Sequence, residues 1–177
     1  MSMMRRCFRK SSGIASVLLV IVALVLLTAC GSDYDNTGNS SNEADKFVFA
    51  SGGMRIELRA PSTELPTALE YFDAPSCIFE GYARVYMFDG FKVEAFPLGD
   101  TEVNNIIAIV LLDASVTTTR GIRIGDTYDD MVRAYGSDYE TFPGGDFSFT
   151  ENGNTLSFNL WQGVIEGIMY FVEDLHE

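Results

Sequence analysis

From about residue 47 onward the apolar residues follow two spacings. Runs with period 2 predict strands, and short stripes with period 3 to 4 predict helices. The same order of segments occurs twice. Residues 53–56 (Gly53, Met54, Arg55, Ile56) and 121–124 (Gly121, Ile122, Arg123, Ile124) each read as a short strand of glycine, apolar residue, arginine and isoleucine. A short amphipathic helix is predicted next, over residues 62–71 with Leu65, Leu69 and Phe72 as its stripe. Its counterpart spans residues 127–135, with Met131, Val132 and Tyr135. Two strands around a tight turn come next, residues 84–88 and 91–96 in the first half and 147–150 and 155–160 in the second. A long apolar strand closes each half, at residues 105–113 and 164–174.

Local chemistry supports these elements. Asp89-Gly90 is a two-residue hairpin signal, because glycine takes the positive φ that matches strand twist. Thr127 is placed to cap the second helix, with Asp129 and Asp130 in the first turn where the helix dipole favours carboxylates. Gly136 stands where a helix-terminating glycine is expected. Pro66 is tolerated only if it falls in the first turn of the first helix. The expected fold class is α+β: two tandem strand-helix-strand-strand-strand repeats, residues 47–115 and 116–177, forming one antiparallel sheet with helices on one face.

Strict alternation assigns the faces of that sheet. Phe91, Val93, Ala95, Leu156, Phe158, Leu160, Ile165, Met169 and Phe171 are expected toward the helices. Lys92, Glu94, Phe96, Thr155, Ser157, Asn159, Trp161, Glu166 and Tyr170 are expected on the helix-free face, joined by Tyr86 and Phe88.

The first 46 residues differ in kind. Arg5, Arg6, Arg9 and Lys10 precede a nearly unbroken apolar run over residues 13–29, which ends in Leu27-Thr28-Ala29-Cys30. A basic start, an apolar stretch and small residues at its end describe a secretory signal. The last four residues resemble the lipobox of bacterial lipoproteins. That resemblance implies a signal peptide over residues 1–29, cleavage before Cys30, and a lipidated Cys30 that anchors the chain on the cell membrane at about 0.8 kcal/mol per buried CH₂. The alternative is an uncleaved membrane-spanning helix. Either way the charge placement puts the rest of the chain outside the cytoplasm. Residues 30–46 are polar, with alanine as the largest aliphatic side chain before Lys46, and read as a disordered tether.

Charge narrows the partners. The whole chain carries −13 at pH 7. The eight basic and 25 acidic residues beyond Cys30 leave a net charge of −17. Nucleic acid is excluded as a partner, since its phosphates require Lys and Arg. An acidic surface confers solubility, and it also steers basic partners.

The stretch from Gly121 to Gly136 (Gly-Ile-Arg-Ile-Gly-Asp-Thr-Tyr-Asp-Asp-Met-Val-Arg-Ala-Tyr-Gly) resembles the group of the β-lactamase inhibitory protein and the small outer-membrane assembly lipoprotein BamE. Gly121, Gly125, Thr127, Met131, Tyr135 and Gly136 fill the glycine, cap and apolar places of that group's segment. The first half keeps the layout without the pattern, with Glu57 read at the place of Gly125, and the proline that commonly follows the last glycine is missing. The likeness covers about residues 50–174 as architecture and carries no catalytic residue. It implies a protein-binding module that uses its helix-free sheet face. Trp161, Tyr170, Phe96 and Tyr86 are the candidate anchors, because Trp and Tyr dominate interface hot spots.

No catalytic constellation is legible. His176, the only histidine, is next to last in the chain, which leaves no His-based metal site or nucleophile-histidine dyad. Cys77 has no second cysteine in the body of the chain, so it reads as a small core residue, or else as a reactive thiol or one end of an intermolecular bridge. Gly144-Gly145 and Gly52-Gly53 lack the Lys-Ser/Thr ending of a phosphate loop. No enzyme activity, cofactor or metal is expected. The competing expectation is a small-molecule binder or hydrolase built on converging carboxylates, with Cys77, Glu80 or Asp89 in a deep pocket.

Overall fold

The computed structural model describes residues 46–76, 81–98 and 102–173. The signal segment, Cys30, the tether up to residue 45, Cys77, Glu80 and His176 all lie outside these residues. Ten strands and one α-helix make up the described chain. In order they are β1 (Val48–Ser51), β2 (Met54–Glu57), β3 (Glu70–Pro75), β4 (Tyr82–Met87), β5 (Phe91–Pro97), β6 (Asn104–Leu111), α1 (Tyr128–Tyr135), β7 (Glu140–Phe142), β8 (Asp146–Glu151), β9 (Asn154–Trp161) and β10 (Val164–Val172). Strand accounts for 52% of these residues and helix for 9%, so the fold is mostly β and the α+β expectation is corrected.

Three elements depart from the predicted ones. The helix expected over residues 62–71 is a single 3₁₀ turn, Ser62–Glu64. Leu65, at its C-terminal end, has φ −65° and ψ 141°. It precedes Pro66, and the proline ring pushes the preceding residue out of the helical region. The chain then runs extended into β3, which leaves Leu69 and Phe72 exposed rather than in a core stripe. The strand expected at residues 121–124 is a turn, with Gly121 at φ +81°. Its first-half counterpart, β2, pairs with β1 in a separate two-stranded sheet.

The large sheet is antiparallel, in the order β3-β4-β5-β6-β10-β9-β8-β7. Each half supplies four strands, and the two last strands meet in the middle. There Val110 opposes Met169, flanked by Ile109↔Tyr170 and Leu111↔Ile168, as a local two-fold axis through the Val110–Met169 pair requires. The two halves also bulge at the same place. Ile107 is the extra residue between Ile106 and Ala108, and Glu166 is the extra residue between Ile165 and Gly167. Each central strand begins by pairing with the segment ahead of its half's helical turn. Arg59 N–H donates to the Ile106 carbonyl at 2.7 Å, and Ile106 N–H to that of Ala60 at 2.8 Å. In the second half Gly125 N–H donates to Ile165 and Ile165 N–H to Asp126, both at 2.8 Å. The structural counterpart of Gly125 is therefore Arg59, not Glu57. Arg59 shares its left-handed backbone, with φ +68° against +97°.

One core lies on one side of the large sheet. Phe91, Val93, Leu156, Phe158 and Tyr170 are covered by Phe49 and Ile56 of the β1–β2 hairpin and by Met131 and Tyr135 of α1. Phe49 packs its ring 4.7 Å from Phe91 and 6.1 Å from Tyr170. The helix starts at Thr127, whose hydroxyl accepts from Asp130 N–H while Asp130 accepts from Thr127 N–H, satisfying donors that a helix start leaves unpaired.

Candidate functional site

The four predicted anchors do not converge. Tyr170 is fully buried in the core. The Glu166 bulge inserts one residue, so every side chain after it changes face. Ile168, Tyr170 and Val172 turn inward, and Met169 and Phe171 take the opposite face. Tyr86 also lies on the core side, half-buried, with its hydroxyl donating to Ser62 Oγ at 3.4 Å. Phe96 and Trp161 do stand on the face away from the helix. They hold equivalent places in the two halves, so the local two-fold puts them at opposite ends of the sheet. Phe96 is half-buried and Trp161 is 63% exposed.

Between those two residues, the face away from α1 is largely satisfied within itself. Ser148 Oγ donates to Ser157 Oγ at 3.1 Å, Thr155 Oγ1 to Glu173 at 2.8 Å, and Asn159 Nδ2 to Asp146 at 2.8 Å. Glu94, only 2% exposed, pairs with Lys92 at 2.7 Å and accepts from Ser76 Oγ at 3.4 Å. A buried carboxylate needs that pairing, because removing it from water unpaired is costly.

The exposed aromatic surface lies elsewhere, at the β3 edge. Leu69 is 77% exposed, Tyr82 68%, Tyr71 67% and Phe72 46%. Tyr71 faces Tyr86 across the β3–β4 pair with ring centroids 6.1 Å apart. The Arg84 guanidinium lies 5.7 Å from the Tyr71 ring centre and holds Asp73 through two hydrogen bonds of 3.0 and 3.4 Å. That hydrogen bond, and then the charge of Asp73, push the Arg84 pKa further up, so its charge is permanent. A shallow groove continues from Asp73, Tyr82 and Arg84 to Phe96, Pro97 and Asn104. The equivalent edge of the second half is filled differently. There Tyr128 of α1 and Tyr139 share a hydroxyl contact and pack on Phe147, the counterpart of Tyr86. The first half has only its 3₁₀ turn in place of α1, so the aromatic residues near its edge stay uncovered.

Sequence reasoning missed this surface because it placed residues 62–71 in a helix. The signal was present. Pro61 and Pro66 bracket four residues, too few for a helix, and just beyond them Tyr71 and Phe72 stand between the carboxylates Glu70 and Asp73.

Asp89 is exposed on the β4–β5 hairpin. Among the described residues no group of three or more His, Cys, Asp or Glu is placed to share a metal ion. The perturbed groups have structural causes. Burial raises the Tyr170 phenol well above its ordinary value, and raises Tyr135. Hydrogen bonds from Thr127, then Arg133, hold Asp130 down to about 2. Among the described residues no helix is long and apolar enough to cross a membrane. No family model, curated protein or solved structure matches the chain.

Proposed function

We propose that this chain is a lipid-anchored, extracytoplasmic protein-binding module. Residues 1–29 direct export, Cys30 carries the lipid on the cell membrane, and residues 30–46 tether the β-rich body away from the surface. The observation that carries the binding role is the exposed edge of Leu69, Tyr71 and Tyr82 beside an Arg84 already fixed by Asp73, with Phe72 exposed on the opposite face of the same strand. Tyrosine buries large area with little loss of freedom, and an arginine already held by a carboxylate has less freedom left to lose, which suits both to hot spots. The helix-free face contributes Trp161 and Phe96 as separate, outlying contacts. The likeness of residues 121–136 to the β-lactamase inhibitory protein and assembly-lipoprotein group points to the same kind of role. Two experiments test the reading. Radiolabelled palmitate is incorporated into the parent and not into Cys30→Ser, and the parent partitions with membranes. Affinity capture from an envelope extract enriches one protein with the parent and loses it with a folded Tyr71→Ala, Tyr82→Ala variant. Equal recovery by both baits, or label retained by Cys30→Ser, contradicts the proposal.

A further inference from the structure

We infer that the outer edge of β3, beyond which no strand lies among the described residues, accepts an extended, basic segment of a partner protein as a ninth strand of the large sheet. The inference rests on the protein-binding reading and names the surface and the chemistry of its partner. The hydrogen bond from Ser76 N–H to Gly81 O fixes the phase of the β3–β4 ladder. In an antiparallel pair alternate residues bond inward, so Phe72 and Ala74 face β4, while the N–H and C=O groups of Tyr71 and Asp73 point away from the sheet.

This edge is only partly protected. Edge strands are commonly short, bulged, covered, or marked by charged residues and proline. β3 has six residues paired to β4 in unbroken register and contains no lysine; Pro75 at its end offers no N–H, which leaves those of Tyr71 and Asp73 facing outward. The opposite edge, β7, has three residues and runs straight into Pro143, Gly144 and Gly145. A strand added beside β3 would place alternate side chains against Tyr71 on one face and Phe72 on the other. That is how strand addition gains affinity from the main chain and selectivity from side chains.

Charge sets the sign of the partner. Glu70 and Asp73 lie on the strand itself, both exposed, and the Arg84 guanidinium beside them is engaged by Asp73. The chain as a whole carries −13. An incoming strand with alternating basic and β-branched residues meets carboxylates with its charges and Tyr71 or Phe72 with its apolar side. A second copy of this chain would bring its own Glu70 and Asp73 to the same edge.

The test uses the full chain in neutral detergent micelles and a fluorescein-labelled peptide of alternating Lys and Val, read by anisotropy. Saturable binding is expected. It should weaken at least about tenfold, or about 1.4 kcal/mol, when Gly replaces Val or Glu replaces Lys in the probe. Tyr71→Pro removes an outward N–H and an exposed ring, and is expected to weaken binding by a similar factor; Thr141→Pro on the β7 edge should leave it unchanged. A probe with its alternate amides N-methylated loses its ladder donors without touching the protein, and decides the matter if Tyr71→Pro fails to fold. Undiminished binding by the N-methylated probe or by a folded Tyr71→Pro overturns the inference, as does equal binding of the Lys/Gly peptide, which would reflect surface charge alone. Self-association of the parent that Tyr71→Pro abolishes also overturns it, by giving the edge to a second copy. A peptide that fails while envelope capture succeeds would remove the edge and leave the protein-binding reading standing.

Discussion

Tyr170→Ala and Trp161→Ala are expected to behave in opposite ways. Tyr170 has no exposed surface and packs against Phe49 in the middle of the core. Truncating a buried aromatic residue costs about 3–5 kcal/mol through lost burial and the cavity left behind. That loss, at roughly 4 °C per kcal/mol, lowers Tm by roughly 12–20 °C. Trp161 is 63% exposed, and exposed substitutions stay within about 0.5 kcal/mol. The assay is thermal unfolding of the full chain in a non-denaturing detergent, followed by far-UV circular dichroism. A Tyr170→Ala protein that melts within 2 °C of the parent, a threshold of about 0.5 kcal/mol on the same scale, would refute the inward placement and the bulge at Glu166 that causes it.

Further outcomes follow from the same packing. Gly145→Ala should cost about 3 kcal/mol or more, since φ is +94° and a Cβ would stand 2.4 Å from the Leu160 carbonyl oxygen; Gly121→Ala, at φ +81° in open space, should cost only about 1 kcal/mol, and paired melts compare them. Lys92→Met leaves the buried Glu94 carboxylate without its cation and should destabilise by roughly 3 kcal/mol, whereas the double variant Lys92→Met, Glu94→Leu should recover most of it. Asp130 has a folded pKa of about 2, below its unfolded value of about 3.9, so its contribution is complete above pH 4 and fades as pH falls toward 2. Asp130→Asn should therefore flatten that part of an acid titration of Tm.

How much of this was legible in the sequence differs by element. The hairpin at Gly90, the helix start at Thr127 and the two long closing strands follow from local signals that the structure keeps, because turn and cap chemistry acts within a few residues. The first-half helix failed because Pro66 outweighs a three-residue apolar stripe. Strands β3 and β7 escaped notice because they are edge strands, without the apolar alternation of a buried one. Along β5, β9 and the start of β10 the faces were read correctly up to Ile165 and then inverted, since a bulge leaves no mark in the periodicity except the change of phase it causes. Tyr170 was assigned to the surface for that reason alone. Tyr86 and Phe88, expected on the helix-free face, lie on the core side instead, Phe88 stacked on Phe91. The Arg84–Asp73–Tyr71 cluster depends on the β3–β4 register, which no local spacing encodes.

The most direct test of the binding role is site-specific photo-crosslinking in living cells, with a benzophenone-bearing amino acid at Tyr71 and, separately, at Thr141 on the opposite edge. One discrete protein adduct from Tyr71 and none from Thr141 is the predicted result. No adduct at Tyr71, or the same adducts from both edges, would contradict it.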